Sequence, residues 1–99
     1  MIQELGIDRT AIERFCRHHG IERLALFGSA LRRDFGPQSD VDVLVRFRSE
    51  TRVGLILLAR LQRELTELFG RPVDLVPENS LKPRMRENVL STAETLYAA

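Results

Sequence analysis

A chain of 99 residues, 43% hydrophobic and 29% charged, has the composition of a globular protein with one core, which excludes a disordered or membrane-buried polypeptide. Its net charge of +1 disfavours a surface that tracks a nucleic-acid backbone. A single cysteine excludes an internal disulfide, and no basic leader precedes an apolar run, so the expected compartment is the reducing cytoplasm.

The first element is a helix capped by Asp8 and running to about His19, with Ile7 and Ile12 at staple positions and Gly20 as the stop. Its buried stripe is Ile12, Phe15 and Cys16, which makes Cys16 a buried free thiol. His18 and His19 diverge on a helix, so favourable charge at the helix C-terminus explains them better than a shared metal. Residues 24–27 read as a short buried strand, and Gly28-Ser29 as a tight turn into a brief helix. A loop punctuated by Gly36 and Pro37 follows, with Ser39 bonding local backbone.

Residues 41–47 form the second strand, from which Arg46 and Arg48 leave as a solvated edge. After a polar connection, residues 53–69 read as the longest helix, ended by Gly70 and Pro72. Its apolar run over residues 55–59 wraps farther than one core stripe needs, so this helix is either sandwiched or meets a partner. Residues 73–76 form a third strand stopped by Pro77. A last helix is capped at Ser80 or a neighbour. Its residues Met85, Val89, Leu90, Ala93, Leu96 and Tyr97 keep helical spacing to the C-terminus.

The chemistry concentrates in residues 24–45. Side chains at i and i+2 of a strand share a face, so Asp40 and Asp42 stand together and repel by about 3 kcal/mol at about 6 Å and an effective dielectric of about 20. A divalent cation is the natural neutraliser. Carboxylate oxygens suit magnesium, which fills its remaining positions with water and substrate phosphates. Gly28-Ser29 supplies the complementary half, because glycine admits close backbone approach and the amides that open a helix attract an anion. For both halves to touch one ligand, strands one and two must run antiparallel. Asp74 joins them only if strands two and three are parallel, linked by a right-handed crossover.

These residues resemble the minimal nucleotidyltransferases of the DNA polymerase beta superfamily. The motif is a hydrophobic strand, Phe27-Gly28-Ser29, a spacer with Arg32, then Ser39-Asp40-Val41-Asp42-Val43-Leu44-Val45, with a third carboxylate at Asp74 in Pro72-Val73-Asp74-Leu75-Val76. Arg33 departs from the glycine that many members carry there. The resemblance implies an α/β nucleotidyltransferase fold, a small mixed three-stranded sheet packed with about four helices, in one domain over residues 1–99. It implies Asp40, Asp42 and Asp74 as catalytic residues and metal ligands for one or two magnesium ions, and Gly28, Ser29, Arg32 and Ser39 around the triphosphate of ATP. Similar members act as antitoxins of HEPN-domain toxins by adenylylating a hydroxyl on that partner. The competing expectation is a non-catalytic module that neutralises its partner by contact. The nucleotide base, the acceptor and any homo-oligomer are left open by the residues themselves.

Overall fold

In the computed structural model residues 7–28 and 40–99 are described. Helix α1, Arg9–His18, begins as expected: the Asp8 carboxylate accepts from the Thr10 amide at 2.9 Å and from the Ala11 amide at 3.4 Å. Ile12, Phe15 and Cys16 are its buried residues. Burial pushes the Cys16 thiol up to about 12, so it stays protonated and packs as a small apolar group.

His19 corrects the helix-end charge expected there. It closes α1 half-buried, edge-on to Phe15 with ring centroids 4.8 Å apart, and its Nε2 lies 3.3 Å from Glu64. Burial lowers its pKa despite the opposing pull of Glu64, so the favoured form is neutral. Because the unfolded chain binds this proton more readily, stability is complete above the usual pKa of 6.5 and falls as the pH drops through it toward the lowered value. Urea midpoints compared at about pH 8 and about pH 5.5 are expected to drop more for the wild type than for His19→Gln, because only the former must charge a half-buried ring. Equal drops would contradict this.

Four strands form one sheet in the order β3-β2-β1-β4: β1 Ile21–Phe27, β2 Val41–Phe47, β3 Val73–Pro77 and β4 Glu94–Ala98. β1 is antiparallel to β2, and β2 is parallel to β3, as the shared site demanded. Helices α1 and α2, the latter Leu55–Phe69, cover one face, where Ile12, Phe15, Cys16, Leu61 and Leu65 meet Leu24, Leu26, Val43 and Leu75. Each fully buried leucine contributes about 2 kcal/mol. On the opposite face α3, Pro83–Thr92, lays Val89 against Ala25 and Leu44.

The mixed sheet of the expected fold is present, with differences in its parts. The sheet has four strands rather than three, and the described residues hold three α-helices and a 3-10 turn, Glu78–Ser80; the brief helix expected after Gly28-Ser29 lies outside the described residues. The last helix does not reach the C-terminus: Ala93 turns extended, and Glu94–Ala98 pairs antiparallel with β1, burying Leu96. The apolar spacing fits either period over so short a segment, and pairing with the open side of β1 decides it. Ser80 does not cap α3. Its hydroxyl donates to the Pro77 carbonyl at 2.8 Å, and the helix starts after Lys82 with Pro83 in its first turn. α2 begins at Leu55, two residues later than expected, after an extended Gly54. It ends at Gly70, whose φ of +69° is the left-handed geometry that only glycine adopts cheaply.

α2 is not sandwiched. Leu57 and Leu58 pack against the core, whereas Leu55 and Ile56 are 85% and 89% exposed. The same helix holds the sheet edge: Gln62 Oε1 accepts from the Leu75 amide at 2.9 Å and Thr66 Oγ1 from the Val73 amide at 3.2 Å. These bonds cover an edge strand and fix the backbone on either side of Asp74.

Candidate active site

The alternation that buries Val41 and Val43 against α1 and α2 sends Asp42 to the other face of the sheet, the face of Leu44. Asp42 sits directly across from Phe27 on β1 and in register with Asp74 on β3. Neighbours in register point to the same side, so two carboxylates from adjacent parallel strands face the same way at one end of the sheet. Asp40 immediately precedes β2 and shares the parity of Asp42. Asp42 is half-buried, and Asp40 and Asp74 are exposed.

Gly28 closes the group from the β1 side. Its φ is +60°, and a Cβ built there would lie 2.6 Å from Asp42 Oδ2. The backbone leaving β1 therefore passes over the Asp42 carboxylate through a gap that a side chain would fill. Ser29, Arg32 and Ser39 lie outside the described residues. Four of the seven anticipated residues, Gly28, Asp40, Asp42 and Asp74, are thus brought to one end of the sheet by the ends of three strands.

Among the described residues no three His, Cys, Asp or Glu side chains make a ready metal cage. What the strands present is a row of hard oxygen donors beside a glycine gap. That donor set fits magnesium, which takes one or two protein carboxylates and leaves its other positions to water and phosphate.

Sequence reasoning missed two groups of residues, one beside this edge and one at the far end of β2. Gln62 and Thr66 hold the Asp74 strand from α2; the only sequence signal is two polar side chains one turn apart on a helix whose neighbours, Leu61 and Leu65, are buried. Arg46 is exposed, as expected of a solvated edge, but it also lies 2.8 Å from Glu22 and 3.7 Å from Glu78, and Arg86 lies 3.4 Å from Glu78. This charged group stands at the opposite end of β2 from Asp42, and nothing in the spacing of Arg46 and Glu78 announces it.

The sequence profile described as a nucleotidyltransferase domain matches residues 8–95. A protein adenylyltransferase of Thermococcus cleftensis, MntA, is 38% identical over 78 residues, which span 79% of this chain and 73% of that protein. A solved structure described provisionally as a minimal nucleotidyltransferase is 40% identical, with a TM-score of 0.70 over 88% of this chain and 85% of that one. A chain from the complex of a tri-AMPylated Shewanella oneidensis HEPN toxin with its MNT antitoxin has the same fold, with a TM-score of 0.66 at 21% identity over 100% of this chain and 74% of that one.

Proposed function

This chain belongs to the nucleotidyltransferase domain family, and on that premise we propose that it transfers AMP from ATP to a hydroxyl of a protein acceptor, as the antitoxin of a HEPN-domain toxin. The observation that carries the reading is the register of Asp42 with Asp74 opposite the glycine gap at Gly28. The relatives support the rest: one is named a protein adenylyltransferase, and another shares its complex with an AMPylated HEPN toxin.

In this reading Asp40 and Asp42 hold magnesium, with Asp74 beside them. The ion, when bound, offsets the charge of the phosphates and of the leaving pyrophosphate. Gly28 and the connector after it, with Ser29, Arg32 and Ser39, bind the triphosphate. Gly28 admits the phosphates close to the backbone because it has no Cβ. Asp74 accepts the proton of the acceptor hydroxyl as its oxygen bonds to the α-phosphorus, and the bond from that phosphorus to pyrophosphate breaks. The protein works in the cytoplasm, in keeping with the buried free thiol of Cys16 and with the absence, among the described residues, of any helix long and apolar enough to cross a membrane.

The test separates affinity from turnover. Asp74→Asn is expected to bind ATP with magnesium within about threefold of the wild type while its turnover falls by roughly 10² or more, the usual contribution of a positioned proton acceptor. Calorimetry gives the first quantity, and pyrophosphate release with the acceptor present gives the second. Weakened ATP affinity with unchanged turnover at saturation would assign Asp74 to the triphosphate instead.

A further inference from the structure

At the end of the sheet opposite Asp42 lies a cleft of about 600 Å³, past the end of the edge strand β3. Its walls include Arg46, Phe47, Arg48, Leu58, Glu78 and Arg86. Leu55, also on its lining, and Ile56 stand 85% and 89% exposed in the first turn of α2. Gly54 gives that turn no side-chain cap, so its first amides are left to an outside acceptor. Within the cleft Glu78 is only 5% exposed. Its Oε1 lies 3.4 Å from Arg86 and 3.7 Å from Arg46, while its Oε2 is buried with no hydrogen-bond partner. A buried carboxylate is costly unless it is paired, and Arg86 and Arg46 are the cations that hold it.

We propose that this cleft is the docking surface for the acceptor protein, and that it takes an extended acceptor segment carrying an apolar side chain next to a carboxylate. The proposal rests on the transferase reading for the identity of the acceptor, and on the surface itself for the chemistry. Three arginines line the cleft against one glutamate, and Arg48 makes no ion pair among the described residues, so the charge left over selects an acidic segment. The uncapped amides of α2 favour the same carboxylate. An apolar side chain covers Leu55 and Ile56, which a small anion inside the cleft would leave in water. A second copy is disfavoured, because a two-fold contact sets each patch against itself and would bring these arginines together. Docking here leaves the carboxylate edge open: β2, seven residues long, separates the two ends by roughly 20 Å. The acceptor is held at one end of the sheet and presents its hydroxyl at the other.

The test follows backbone amide resonances of the whole isotope-labelled chain on adding a peptide of two leucines flanked by glutamates, its lysine-flanked analogue, or inorganic phosphate. The glutamate-flanked peptide is expected to shift Arg48, Gly54, Leu55 and Ile56 and to bind at least about tenfold more tightly than the lysine-flanked one, a preference set by charge complementarity. Ile56→Glu and Arg48→Glu, both changes of exposed residues, are expected to abolish that preference. Equal binding of the two peptides, or no shift with either, overturns the proposal. So do the same shifts with phosphate alone, which make this a small-anion site, or an Ile56-dependent dimer in sedimentation, which makes the occupant a second copy. ATP with magnesium is added to the same samples and should shift Gly28 and Asp42 in wild type and both variants. Peptide binding without that response supports the docking surface and counts against the transferase reading; the ATP response without peptide selectivity does the reverse.

Discussion

Asp42→Asn is expected to lower AMP transfer by about 10³-fold or more: in the proposed reading it removes a charged ligand of a magnesium ion that lowers the barrier by several kcal/mol, and each 1.36 kcal/mol is tenfold. The fold should survive. Asp42 lies on the less covered face at the mouth of β2, and its neighbours Val41 and Val43, which do fill the core, are untouched. Without magnesium the variant should melt close to the wild-type temperature, since asparagine keeps the size of the side chain and its capacity to accept hydrogen bonds. Asp40→Ala should behave in the same way. A melting curve and a transfer assay on one preparation check both halves, and wild-type transfer by either variant would show that the metal site is misassigned.

Gly28→Ala should disable the same site from the opposite side. Two costs coincide at this position. The φ of +60° is left-handed, which costs a residue with a Cβ about 1–2 kcal/mol. The new Cβ would also stand 2.6 Å from Asp42 Oδ2, closer than two such atoms can rest, so either the carboxylate or the backbone must move. A displacement of about 1 Å at a reacting group costs roughly 10² in rate. The variant should therefore lose transfer by about that factor and weaken ATP binding, with a modest fall in melting temperature. Gly54→Ala is the control for ATP binding, since a Cβ there meets nothing within 4 Å and the position lies at the opposite end of the sheet. Equal ATP affinity of Gly28→Ala and Gly54→Ala would show that the glycine gap plays no part in holding the nucleotide.

The carboxylate edge was legible because each of its parts follows from period and spacing. Alternation along β2 sets Asp42 opposite Val41 and Val43. The demand that Gly28 and Asp42 meet implied antiparallel β1 and β2, and the demand that Asp74 join them implied parallel β2 and β3; both pairings are present. The first helix was legible from its cap and stop. Tertiary pairing was not. Leu96 and Tyr97 continue the helical spacing of Val89 and Ala93, yet the unpaired side of β1 recruits Glu94–Ala98 as a strand. His19 reads as a charge at a helix end until the packing of Phe15 and Glu64 around it is known. Arg46, Glu78 and Arg86 come together only because the 3-10 turn and α3 fold back beside β2, a long-range contact with no local signature.

If the carboxylate edge moves the α-phosphorus of ATP, with its adenosine, onto a protein, the position of a label in ATP decides what is marked. ATP labelled at the α-phosphate and ATP labelled at the γ-phosphate are each incubated with magnesium and host lysate, with wild type or Asp42→Asn. A labelled protein band is expected from α-labelled ATP only, lost in Asp42→Asn, with the γ-label released in pyrophosphate. A band from γ-labelled ATP, or α-label confined to small molecules or nucleic acid, would contradict it.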